Sequence, residues 1–191
     1  MNKQNAILYL HGFGSADKPN RLSALAELLP DYDFYSPSYN PHDTTGTQVT
    51  IGYQIDTLMR EYKNVVLVGT SLGGFWADYF GRKHNLHAVL LNPAVNPGEL
   101  LKPTVGTNTN YVTNKEFDVT NDHLADLHIA NTDRGNNNGG KRSVMVNLDD
   151  VIALPQHAEA EYSANSKYQT FPKGGHMWSN WEAVADAVRA G

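Results

Sequence analysis

Short apolar runs alternate with helix-period segments along this 191-residue sequence. That alternation predicts an α/β fold, a mostly parallel sheet with helices on both faces. Two further observations sharpen the prediction. The runs at 6–10, 65–68 and 88–91 are continuously apolar, as strands buried on both faces are. One of them leads straight into Gly69-Thr70-Ser71-Leu72-Gly73, and a helix pattern follows: strand, sharp turn, helix.

The elements follow in order. Ala6 to Leu10 reads as a buried strand ending in the Gly-rich loop His11-Gly12-Phe13-Gly14-Ser15. Arg21 to Leu29 is helix-patterned, with Leu22, Leu25, Ala26 and Leu29 on one face and Pro30 closing it. Asp33 to Ser36 is a short strand stopped by Pro37, and a polar loop follows to about Gly46. Gln48 to Tyr62 is a helix with Ile51, Ile55, Leu58 and Met59 inward. After the central strand a helix runs from Ser71 to about Lys83, and His87 to Leu91 is the next strand. Pro97 to about Asn121 shows little periodicity, and Asp122 to Ile129 is a short helix. Residues 133–140, with an Asn-rich stretch at 136–140, read as a surface loop. Ser143 to Leu148 is a strand stopped by Asp149-Asp150, and Pro155 to Ser163 a helix with proline in its first turn. Tyr168 to Phe171 is the last strand, and Trp178 to Ala190 a helix with Trp181, Val184, Ala185 and Val188 on one face. No repeat or linker divides the chain, so residues 1–191 are expected to form one domain, with only 95–130 as room for a small lid.

Composition narrows the function. A net charge of −5 with scattered basic residues argues against a nucleic-acid partner. With no cysteine there is neither a disulfide framework nor a thiolate site. The apolar run at 6–10 is too short for a signal h-region, and no stretch reaches membrane-span length, so no membrane partner and a cytoplasmic location are expected. His84, His87, His123 and His128 lack metal-ligand context and read as surface or capping residues, so no metal and no cofactor are expected.

The chemistry-bearing residues stand at strand ends, where ligands bind in parallel sheets. A serine becomes nucleophilic when a base takes its proton and an oxyanion is stabilised. An elbow at Gly69–Gly73 serves both needs: it lifts the Ser71 hydroxyl clear of the sheet and presents the Leu72 N–H to the oxyanion. Space around the turn requires glycine at positions 69 and 73, and Gly74 lets the helix pack tightly on the sheet. The second oxyanion N–H is assigned to Phe13, whose side chain could line the acyl pocket; His11 reads as a buttress of that loop. Ser71, then Asp149 or Asp150, then His176 satisfy the chain order of the α/β-hydrolase fold. Asp149, first past the strand, is preferred as the acid that fixes the His176 imidazole. Trp178, two residues beyond His176, belongs either at the site mouth, binding substrate, or over the sheet. Trp76, Tyr79 and Phe80, at helical spacing, read as core.

The segments Ile7 to Ser15, Gly69 to Ala77, Val89 to Pro97 and Gly174-Gly175-His176 resemble the small bacterial YqiA/YcfP-type (UPF0227) α/β-hydrolase esterase family. The likeness covers nearly the whole chain, and Asn92 to Leu101 is its most distinctive part. It implies a carboxylesterase with a Ser/Asp/His triad and puts the acid on Asp149, because acid, one residue and an apolar pair match Asp149 to Ile152. The family often has glycine where Leu148 stands. One branch lacks the serine, and Ser71 places this sequence on the competent side.

The expectation is a single α/β-hydrolase domain with minimal or no cap, monomeric or homodimeric, taking a small-molecule acyl ester. The alternatives are a thioesterase, amidase or peptidase with the same triad, or a hydrolase-fold binding protein without turnover. A small lid suits short acyl chains, and a neutral histidine base makes activity climb through about pH 6 to 7.

Overall fold

The computed structural model describes residues 3–17 and 22–191. The main sheet has six strands: β1 (Lys3–Leu10), β2 (Tyr32–Tyr35), β3 (Tyr62–Thr70), β4 (His87–Leu91), β7 (Arg142–Asn147) and β8 (Lys167–Phe171). Their order is β2-β1-β3-β4-β7-β8, and every pairing is parallel. Strands β5 (Gly106–Thr109) and β6 (Glu116–Val119) form a separate antiparallel hairpin. The helices are α1 (Ser23–Leu28), α2 (Thr44–Glu61), α3 (Leu72–His84), α4 (Pro97–Leu100), α5 (Asn121–Asn136), α6 (Pro155–Tyr162) and α7 (Trp181–Arg189), with a 3-10 turn at Lys102–Thr104.

The continuous apolar runs divide by parity between two cores. Leu8, Leu10, Leu67, Leu90 and Val146 pack with α2, α3, α5 and α6, whereas Ile7, Tyr9, Val68, Leu91 and Met145 pack with Leu25 of α1 and Val184 and Val188 of α7. Both faces of each strand are thereby buried, which is why polar alternation is missing from the sequence. Trp76, Tyr79 and Phe80 are core, as expected.

Four local expectations change. Helix α2 begins at Thr44, within the expected loop, because the Asp43 carboxylate accepts the Gly46 N–H and caps it. Met59 is 43% exposed on its outer face. Helix α5 runs on through residues expected to be loop, because Arg134 reaches a buried ion network: its Nη1 lies 2.5 Å from Asp78 Oδ2 of α3, which also accepts the Tyr162 hydroxyl of α6. The β5–β6 hairpin stands where little periodicity was seen, and the expected start of α1 at Arg21 falls outside the described residues.

Candidate active site

The strand order reverses between β1 and β3, and the loops that follow these two strands meet there. Ser71 stands on the turn from β3 to α3 with φ 57° and ψ −122°, a conformation that costs a non-glycine residue about 1–3 kcal/mol. The turn is held from outside. Ser71 N–H donates to Leu91 O at 3.0 Å, and Ser71 O accepts the N–H groups of Gly74, Phe75 and Ala94. A β-carbon at Gly69 would overlap the Gly73 carbonyl, and one at Gly73 would overlap the carbonyls of Leu10 and His11. Both glycines are therefore required by space, as expected. At Gly74 a β-carbon would crowd Pro93 at 3.1 Å, so this glycine admits the loop after β4.

Gly12 packs against the serine, where a β-carbon would lie 3.1 Å from Ser71 Cβ. His11 is fully buried; its Nδ1 is 3.1 Å from Gly12 O, and its carbonyl accepts the Tyr39 hydroxyl at 2.7 Å. The imidazole thus sits under the loop as a buttress. Leu72 opens α3, so its N–H has no acceptor within the helix. Among the described residues the Phe13 N–H donates to no backbone acceptor.

His176 lies in the loop after β8. Its Nδ1 is 2.8 Å from Asp150 Oδ2, and the Asp150 side chain is almost fully buried. The other oxygen, Oδ1, accepts the N–H groups of Ile152 and Ala153 at 2.8 and 3.1 Å. Burial pushes the Asp150 carboxyl up, but the His176 hydrogen bond and these N–H groups outweigh it, and its pKa lies below the ordinary aspartate value. Asp149, the residue expected to hold His176, does not do so. Its exposed carboxylate accepts the N–H groups of Gly175 at 2.7 Å and Gly174 at 3.3 Å, which lowers its pKa. The reason is local. Strand β7 ends at Asn147, Asp150 N–H turns back to Asn147 O, and that turn sends residue 150 inward and residue 149 outward.

Two asparagines missed by sequence reasoning complete the loop's support. Asn92, buried and left-handed at φ 44°, donates from Nδ2 to Gly175 O at 3.0 Å and His176 O at 3.1 Å. Its Oδ1 accepts Asn147 N–H at 2.8 Å, and Asn147 Nδ2 also donates to Gly175 O. The sequence signals at Asn92 were Asn92-Pro93 at the end of an apolar strand and its place in the family-like run Asn92 to Leu101, neither of which points to His176.

Ser71 and His176 line one cavity of about 150 Å³, together with Tyr9, Gly12, Phe13, Thr70, Tyr111, Met177, Trp178 and Trp181. Among the described residues no hydrogen bond joins the Ser71 hydroxyl to His176. Trp178 lines this cavity and is also buried over the sheet, in one cluster with Val184. A larger cavity of about 460 Å³ lies at the other end of the strands, among His87, Arg142 and Lys167, and contains none of the expected site residues. No described helix is long and apolar enough to cross a membrane.

This architecture is the α/β-hydrolase fold. It is shared with Est1E from Butyrivibrio proteoclasticus (TM-score 0.73, 16% identity, 100% of this chain and 87% of that one). It is shared too with the monoacylglycerol lipase of Paleococcus ferrophilus (TM-score 0.75, 14% identity, 100% and 96%). Residues 6–184 match the model of the Uncharacterised protein family UPF0227, and the chain belongs to that family. A UPF0227 protein of Shewanella sp. (strain MR-7) is 25% identical over 158 residues, 81% of each chain.

Proposed function

We propose that this chain is a serine hydrolase of carboxylic esters with short acyl groups, working through Ser71, His176 and Asp150. The observation that carries the reading is the joint placement of a serine at φ 57° and a histidine held by a buried aspartate on one small cavity. An esterase and a lipase among the proteins of the same fold add support.

In this reading Ser71 Oγ attacks the ester carbonyl while His176 Nε2 takes its proton. Asp150 keeps the other imidazole proton on Nδ1, so Nε2 is the free acceptor, and it stabilises the imidazolium that forms. The N–H groups of Leu72 and Phe13 receive the negative charge on the carbonyl oxygen. His176 then gives the proton to the departing alkoxide, leaving Ser71 acylated. Water, deprotonated by the same imidazole, releases the acid and restores the serine.

The test is p-nitrophenyl acetate hydrolysis by wild type and Ser71→Ala side by side. Turnover by the wild type and its loss in the variant support the reading. Equal rates, or no turnover by either, overturn it.

A further inference from the structure

The β5–β6 hairpin is fastened to the loop that carries Phe13, and its turn reaches the cavity beside Ser71. Tyr111 N–H donates to Gly14 O at 2.9 Å, and Asn110 Nδ2 donates to Ser15 O at 2.7 Å. Gly14 is left-handed, with φ 62°, and a β-carbon there would touch the Tyr111 ring at 3.7 Å. Phe117 of β6 packs edge-on against Phe13, with ring centroids 5.4 Å apart. The turn is also stiff within itself. Asn110 Oδ1 accepts the N–H groups of Val112 and Thr113, and Asn110 N–H donates to Lys115 O. These bonds set the backbone at residue 111, from which the half-exposed Tyr111 side chain lines the cavity.

The walls it completes are mostly aromatic: Phe13, Trp178 and Trp181. On the cavity residues besides Ser71 and His176, the Tyr9 hydroxyl and Thr70 Oγ1 lie 3.1 Å from each other, and Trp178 Nε1 donates to Asn180 O. An apolar cavity of about 150 Å³ accommodates one benzene ring.

We propose that Tyr111 is the residue that limits acyl size, and that the preferred substrates are esters of short or single-ring acyl groups. This rests on the esterase reading. The aromatic walls favour a flat ring over a linear chain of equal carbon count by about 2- to 10-fold, the range that ring-on-ring packing supplies. Shortening residue 111 opens the cavity towards solvent along the hairpin turn, and enlarging it closes the cavity further.

The experiment compares kcat/KM for p-nitrophenyl acetate, butyrate, hexanoate, octanoate and phenylacetate in wild type, Tyr111→Ala and Tyr111→Trp. The wild type should prefer butyrate to octanoate by at least about tenfold, a span that methylene-scale fit provides. Tyr111→Ala should raise the octanoate-to-butyrate ratio by about tenfold, and Tyr111→Trp should lower the hexanoate-to-acetate ratio. Ratios that stay within about twofold of wild type in both variants overturn the proposal. Opposite shifts in the two variants separate a size limit from loosening of the hairpin. If wild type hydrolyses none of these esters, the esterase reading falls. The cavity is then read by saturation-transfer NMR with methyl phenylacetate on Ser71→Ala. Transfer to the phenyl protons that weakens in Ser71→Ala/Tyr111→Trp upholds the size limit, and no transfer, or equal transfer, overturns it.

Discussion

His176 Nδ1 lies 2.8 Å from Asp150 Oδ2, while Asp149, its neighbour in the chain, binds the amides of Gly174 and Gly175 instead. Two adjacent carboxylates thus hold three consecutive residues of one loop, Gly174 to His176. In the proposed mechanism Asp150 sets the imidazole tautomer and Asp149 only shapes the backbone before it. Asp150→Asn should lower kcat by about 10³- to 10⁴-fold, the cost of the wrong tautomer in such triads. Asp149→Asn keeps one acceptor for the loop and should cost about tenfold or less, on the order of one ordinary hydrogen bond. Steady-state kinetics on the two variants would expose a wrong pairing by reversing their order.

Asn92 holds the same loop from the other side, through the carbonyls of Gly175 and His176. Asn92→Asp keeps the shape but removes both donors. Stability should fall by about 1–3 kcal/mol. Measured well below the melting temperature, kcat should fall by about 10- to 100-fold with KM little changed, because the base is displaced rather than the substrate. Lower stability with an unchanged kcat would reduce Asn92 to a purely structural residue.

The strain at Ser71 is a cost that glycine would relieve. Ser71→Gly should remove activity and raise stability by about 1 kcal/mol, the strain relieved less the extra chain entropy of glycine. That corresponds to an increase in Tm of about 2–4 °C for a chain of this size. Calorimetry showing a lower Tm would mean that the serine side chain contributes more to the fold than its backbone conformation costs.

Two histidines outside the site contribute to the loss of stability in acid. Burial holds both His42 and His87 down to about 4; the nearby His123 adds to the effect at His42, and Lys167 and Lys141 add at His87. Unfolded, each returns to about 6.5. Between those values the unfolded chain binds protons that the folded chain does not, so stability falls as pH is lowered from 7 towards 4. His42 stacks on Phe117 with ring centroids 4.8 Å apart, and His42→Phe keeps that stack without the titration. Urea unfolding between pH 7 and 5 should show a slope shallower by up to one proton in the variant. An identical slope would mean that His42 titrates alike in both states.

What could be read from the sequence was local. Continuous apolar runs declare doubly buried strands, and Gly69, Ser71 and Gly73 declare a turn whose space admits nothing larger. The choice between Asp149 and Asp150 depended on where β7 stops and how the chain turns after Asn147, which adjacent aspartates do not encode. The hairpin was hidden because its strands are only four residues long and mostly polar; Phe117 and Val119 of β6 do alternate towards the core, but two residues are too few to declare a period. Helix α5 outran its expected end because a tertiary partner, Asp78 on α3, draws Arg134 into the core. Tyr111 shares the cavity with Ser71, 40 positions away, and Asn92 binds the His176 carbonyl, 84 positions away, and local pattern carries no such information.

The central claim is that Ser71 is a nucleophile activated by His176 and Asp150. A fluorophosphonate tests it most directly, with intact-mass and peptide mapping of wild type, Ser71→Ala and Asp150→Asn. The account predicts one adduct, on Ser71, formed far more slowly in Asp150→Asn and absent from Ser71→Ala. No adduct on the wild type, or an adduct on another residue, would contradict it.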